Sequence, residues 1–327
     1  MLPSYISLFK DGKIGALADE LYNSLAKCQI CPRKCAVNRL EDEEGFCYSG
    51  RLPIVSSYCI HYGEEPPLVG ERGVGNIFLG NCNLRCVYCQ NYQISQNYFE
   101  EKKHEVTFDK LADIMIELQN KNVTSIGFVS PTHFLPQILV ALDIAIGRGL
   151  NIPLIYNSNG YDSAEILKLI QGVFDIYLPD FKYGDNEFAI EYSIGKDYLY
   201  IATEAIKEMY RQVGSKLIIA GGSVARGLII RHLVLPNNIS DTFSVLTKIK
   251  EIASNDVSLS IMSQYYPAFK AEEHILLSRE IRESEYLKVT NMLSDLGFEN
   301  GWVQEYESKN IYKPNFNDRI FPFIEVQ

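Results

Sequence analysis

The sequence predicts an α/β protein, a partial (β/α)6-type barrel carrying an N-terminal cysteine-rich metal-binding extension. Two observations lead there. From about residue 74 onward, short apolar runs alternate with longer stretches of helical periodicity, the pattern of parallel strands joined by right-handed helical crossovers. All eight cysteines, moreover, lie between Cys28 and Cys89, and such crowding in a long reduced chain signals metal binding or catalysis rather than a disulfide framework. A full barrel or an open doubly wound sheet would produce the same alternation. In each of these folds the site lies at the carboxyl ends of the strands.

Residues 13–27 have helical apolar spacing and lead into the first cysteines. Residues 28–72 are rich in charge, Gly and Pro and read as an irregular, metal-stapled segment, which gives two units, 1–72 and 73–327. Strands are expected at 74–80, 124–130, 152–157, 173–180, 227–236, 257–264 and 301–306. Helical patterns fill the intervals: 108–122, 133–149, 163–171, 198–214, 241–255 and 278–297. The apolar strands end in polar clusters (NCNLRC, SPTH, NSNG, DFK, RHLVLPN and SQYYP), more than a purely structural barrel requires.

Bulk properties exclude some classes. The formal charge is −10, from 31 basic and 41 acidic residues, so neither nucleic acid nor an anionic membrane is an expected partner. No apolar run reaches the length of a membrane span, and the first residues lack a signal-peptide pattern. A cytoplasmic protein is expected.

Cys82, Cys86 and Cys89 stand in CNLRCVYC, directly after the first strand of the βα series. Three thiolates at this spacing can hold one 4Fe-4S cluster and leave its fourth iron open. The competing reading is a closed structural zinc site completed by Cys59 or His61. Upstream, Cys28, Cys31, Cys35 and Cys47 supply four thiolates, enough for a zinc site or an auxiliary iron–sulfur cluster. Spacing does not separate the two metals, and Cys59 has no evident partner. Asp180 and Lys182 alternate along one strand face and can enter a pocket together, as catalytic groups or as a barrel-mouth salt bridge. Arg231, within an apolar run, needs a buried partner.

CNLRCVYC resembles the signature of the radical S-adenosylmethionine (SAM) superfamily. With FVSPTHFLPQI, YNSNGYDS, DIYLPDFKYG, RHLVLP and MSQYYP, it makes most of the chain similar to a PflX-like branch near pyruvate formate-lyase activating enzyme. The resemblance implies a 4Fe-4S cluster whose open iron chelates SAM, and reductive cleavage to a 5′-deoxyadenosyl radical that abstracts hydrogen from a substrate. It implies a role near the adenine for Tyr88 and near the ribose for Asn157 and Asn159, and an active-site role for Asp180 and Lys182. Ser130 and His133 become candidate SAM contacts, with helix capping the alternative for His133. Arg231 becomes a partner for the SAM carboxylate or for Asp180. Also implied are a reducing protein such as flavodoxin or ferredoxin and a protein substrate activated as a glycyl radical. Radical modification of a peptide or small metabolite is the alternative within the class. A non-catalytic zinc or iron–sulfur module for binding or electron transfer is the rival outside it. GEEP at residues 63–66 superficially resembles the family's glycine–glutamate SAM motif but precedes the first strand, where that motif is not expected.

Overall fold

Period-two alternation in the apolar runs decides which side chains meet on each face of a sheet. The computed structural model describes residues 1–310 and 313–323. Among these, nine strands form one sheet: β1 (Val55–His61), β2 (Val74–Leu79), β3 (Ile126–Val129), β4 (Leu154–Ser158), β5 (Ile176–Pro179), β6 (Ile218–Ala220), β7 (Ser223–Leu233), β8 (Ser258–Met262) and β9 (Gly301–Val303). The order is β1-β2-β3-β4-β5-β7-β8-β9, with β6 a short antiparallel partner of β7. β1 joins β2 antiparallel, and every other step along this path is parallel. The sheet is therefore open, edged by β1 and β9.

Register places Gly127, Ile155, Ile176 and Gly227 side by side on one face. Continuing by twos along each strand, that face is apolar first (Val74, Ile155, Ile176, Leu178, Ile229) and forms a small core cluster. Nearer the carboxyl ends it turns polar, with Asn157, Asp180, Arg231 and Ser260. The opposite face, including Ile77, Phe128, Tyr156, Tyr177 and Ile230, lies in the large core shared with the helices. Capping side chains set several helix starts: Thr107 accepts from Lys110 N at 3.1 Å and Ser163 from Ile166 N at 3.4 Å. None of the helices of the described residues is long and apolar enough to cross a membrane.

All seven expected strands are present. β1, β6 and the short helix Tyr5–Lys10 were not expected. β1 mixes polar and apolar residues as an edge strand does, which hid it within the charged segment. It lies inside 1–72, and Tyr5, Ile14, Leu21, Leu25 and Ile30 share the large core. The extension and the sheet are thus packed as one body. Of the expected 73–327 unit, residues 311–312 and 324–327 lie outside the described residues.

Candidate active site and metal centres

β2 ends at a turn through Gly80 and Asn81 (φ 65°) that releases the cysteine loop at the carboxyl edge of the sheet. Cys82, Cys86 and Cys89 line a cavity of about 190 Å³, together with Tyr88, Ser130, Asn157, Asn159, Asp180, Lys182 and Arg231. Each sulfur has a polar neighbour. Cys82 Sγ accepts from Leu84 N at 3.4 Å and Asn159 Nδ2 at 3.3 Å, and Cys86 Sγ accepts from the Ser193 hydroxyl at 3.0 Å. Cys89 Sγ and Ser95 Oγ lie 3.1 Å apart. Burial, then the neighbouring Cys86, pushes the Cys89 thiol up to about 12. Burial also raises Cys86, against the Lys182 ammonium and the Ser193 hydroxyl. A thiol that burial raises in this way becomes an anionic ligand when a metal displaces its proton. Three sulfurs with hydrogen-bond partners, grouped around open space, fit a cluster with one iron left free of protein. Neither Cys59 nor His61 lines this cavity: Cys59 packs against the Phe78, Ile94 and Phe316 cluster, and His61 against Phe323. They therefore do not close a zinc site with the trio.

Asn159 reaches Cys82 because of Gly160. At φ +78°, a Cβ there would sit 2.2 Å from the Asp180 carbonyl oxygen, so only glycine lets the ends of β4 and β5 close up. Asn159 also donates to Asn83 Oδ1 at 2.7 Å and accepts from Tyr161 N. Beside it runs a chain of charges. Lys182 Nζ lies 2.6 Å from Asp180 Oδ2, and Arg231 Nε 3.3 Å from Asp180 Oδ1. Arg231 also donates to Glu64 Oε2 at 2.9 Å and Asn157 Oδ1 at 2.6 Å. These side chains are mostly buried. Burial pushes the Asp180 carboxyl up, but Lys182 and Arg231 outweigh it and hold it below the usual range. Asp180 in turn offsets the burial of Lys182, whose ammonium is strengthened. Arg231 therefore takes Asp180 as partner, one of its two expected roles, and adds Glu64.

Tyr88 is buried, edge-on to Tyr183 and Tyr265, with centroids 6.3 and 6.1 Å away. Ser130, at φ 59°, donates its backbone N–H to Asn157 O at 2.8 Å. His133 departs from expectation. It lines the other cysteine cavity instead, and its Nε2 lies 2.8 Å from Gly80 O. A carbonyl can only accept, so the proton is on Nε2 and the lone pair of Nδ1 is free, buried and without a partner among the described residues. Burial holds this imidazole at about 3, hence neutral. It neither contacts the first cavity nor caps the following helix with its ring.

That second cavity is lined by Cys28, Cys31, Cys35, Cys47, Arg39 and His133. Cys28 N–Val37 O (3.0 Å) and Ala36 N–Cys28 O (2.8 Å) bonds close the loop, with Lys34 and Ala36 at positive φ. Burial and then Cys47 push the Cys31 thiol up to about 12, the same need for a metal as at Cys89. Among the described residues, no three His, Cys, Asp or Glu side chains close on a single-ion centre. The two cavities are tied together: Arg33, stacked 3.6 Å over Phe46, donates from Nε to Asn83 O at 2.9 Å.

Sequence reasoning missed Glu64, Glu65, Ser95 and Ser193. GEEP did carry a signal, but β1 was unseen, so nothing brought residues 63–65 back to the sheet. Ser95 and Ser193 are short polar residues with no motif.

A protein-family model for the radical SAM superfamily matches residues 76–225. The chain is 35% identical over 277 residues to uncharacterized protein MJ0674 of Methanocaldococcus jannaschii, spanning 83% of this chain and 75% of that one. It is 25% identical over 321 residues to uncharacterized protein MJ0808 of the same organism, spanning 91% and 87%. Similar solved structures are TYW1 with a lysine–pyruvate adduct bound (TM-score 0.42, 14% identity, 82% of each chain) and methylornithine synthase, PylB (0.42, 13%, 87% and 73%).

Proposed function

The chain belongs to the radical SAM superfamily, and from that premise we propose that Cys82, Cys86 and Cys89 hold its 4Fe-4S cluster beside a SAM site formed by Tyr88, Ser130, Asn157, Asn159 and Arg231. The observation that carries this reading is the single cavity joining the three thiols to Asp180, Lys182 and Arg231. When bound, cluster and SAM supply the superfamily's chemistry: one electron cleaves SAM, and the 5′-deoxyadenosyl radical takes a hydrogen atom from the substrate. The protein's own groups prepare the place. Asn159, Leu84 N, Ser95 and Ser193 surround the sulfurs with hydrogen-bond partners, which tunes a cluster's potential. Arg231 offers a guanidinium suited to a carboxylate, held by Glu64, Asp180 and Asn157. Lys182 and Asp180 keep their opposite charges in a largely dry setting.

The test is anaerobic reconstitution with iron and sulfide, reduction, and assay for 5′-deoxyadenosine from SAM. We expect product in the wild type and none in Cys86→Ala. A loaded, reduced wild type that gives none, and whose paramagnetic spectrum ignores SAM, would be an iron–sulfur binding or electron-transfer module instead.

Three finer statements belong to the same proposal. A reducing protein such as flavodoxin or ferredoxin delivers the electron. Residues 1–72 carry a second metal centre at Cys28, Cys31, Cys35 and Cys47, iron–sulfur or zinc; the shared thiol-lined cavity supports it, and elemental analysis tells the metals apart. The PflX-like resemblance extends the substrate to a glycine of a partner protein, whose glycyl radical would persist in electron paramagnetic resonance. A small polar substrate is the second reading, favoured by the compact polar chamber that continues the cavity past Arg231.

A further inference from the structure

Arg231 does not end the cavity. On its other side a chamber of about 130 Å³ continues, and Gln90, Asn157, Arg231, Met262 and Gln264 line both spaces. Part of the chamber wall is a chain of amides. Gln304 Nε2 donates to Gln264 Oε1 at 2.9 Å, Gln264 Nε2 to Gln90 Oε1 at 3.4 Å, and Gln90 Nε2 to Gln264 O at 2.8 Å. Gln304 Oε1 accepts from Ser263 N at 3.0 Å. These amides are engaged with one another and with the backbone. Glu64 and Glu65 line the same chamber. Glu64 is committed on both oxygens, to Arg231 and to Asn76 at 2.7 Å.

Glu65 is different. Its residue is 7% exposed, and Oε2 has no hydrogen-bond partner among the described residues. Burial and Glu64 push its carboxyl up, against Arg231 and the Ser260 hydroxyl. An unmet buried acceptor costs about 1–3 kcal/mol, which a ligand bearing a donor recovers. Counting Asp180 and Lys182, three carboxyls share the site with two cations. An anionic ligand would add to the imbalance, and an apolar one would leave Oε2 unmet.

We infer that this chamber anchors the substrate, and that the substrate is a small molecule with a protonated primary amine held by Glu65 Oε2. The inference rests on the radical SAM reading, in its small-substrate form. The carbon chain behind the amine runs past Arg231 toward Cys82, Cys86 and Cys89, where hydrogen is taken.

Ethylammonium is the probe, titrated calorimetrically into the reconstituted protein with and without SAM, with acetate and acetamide in parallel. Saturable binding of ethylammonium alone is expected. Glu65→Gln should weaken it at least about tenfold, the value of one charge-assisted hydrogen bond. Glu65→Asp, which keeps the charge and withdraws it by a methylene, should weaken it several-fold and serves if the glutamine variant does not fold. The SAM-induced change in the cluster's paramagnetic spectrum should be the same in wild type and variants. Absence of ethylammonium binding in the wild type, or equal binding in both variants, overturns the inference. So does loss of the SAM response in Glu65→Gln, because Glu65 would then be gripping SAM. Failure of the parent reading is separate: there the wild-type spectrum itself ignores SAM.

Discussion

Arg231 holds Glu64, Asp180 and Asn157 from one guanidinium. Replacing it with Met strands two carboxylates that have little water to turn to, a loss of about 3–5 kcal/mol. Urea unfolding of Arg231→Met against wild type checks this; a loss below about 1 kcal/mol would show that water or Lys182 takes over. The sequence showed that Arg231 needed a partner and named Asp180, because a guanidinium in an apolar run cannot stand alone. It could not name Glu64, since the approach of residues 63–65 depends on where β1 lies. His133 fails for a related reason. SPTH shows a histidine after a strand, but the direction of its ring depends on Gly80 O, which local spacing does not encode.

Turns and caps decide the elements. Gly160→Ala would force a Cβ to 2.2 Å from the Asp180 carbonyl at φ +78°, at a cost above about 2 kcal/mol. We expect a lower urea midpoint and less iron bound at reconstitution, since Asn159 would be pulled from Cys82. Gly147→Ala, with nothing within 4 Å of the new Cβ, should change stability by less than about 0.5 kcal/mol or raise it. Equal effects from the two would refute the close-approach argument. The first turn of the helix Glu283–Leu296 is held by Glu285, which accepts from Arg279 at 2.7 and 2.8 Å and from Arg282 N and Asn237 N at 2.8 Å. These bonds, Arg279 first, hold its carboxyl at about 2. A folded value below the unfolded one gives stability that is complete above about pH 4.5 and lost as pH falls toward 2. Discounted for partial exposure, it amounts to about 1–2 kcal/mol. The stability gap between wild type and Glu285→Gln should therefore close between pH 5 and 2 in urea titrations, and a constant gap would count against it. The strands of the parallel series were legible because buried parallel strands are continuous apolar runs flanked by polar ends. β1 was not, being an edge strand whose VSSYCIH has neither a continuous run nor clean alternation.

At the scale of the whole molecule, the alternation of strands and helices predicted the architecture, while the relation of the extension to the sheet was invisible. Contacts between residues 1–72 and the rest are long-range, such as Tyr5 Oη to Ile152 O at 2.8 Å and Ser4 to the buried Asp175. We predict that Cys31→Ser, reconstituted and analysed for metal, loses the whole complement of one centre, about four irons if it is a cubane or one zinc if not. Unchanged metal content would leave the four thiols without that role. Two residues that line the second cysteine cavity also hold the loop on both sides of Cys82, His133 on Gly80 O from the sheet and Arg33 on Asn83 O from the extension. Under the proposed two-centre reading, maturation would have an order built into the chain, because the loop around Cys82 is braced by the walls of the second cavity. If both cavities hold iron–sulfur centres, loss of one in air should loosen the loop that holds the other, and the two would bleach with a single time constant.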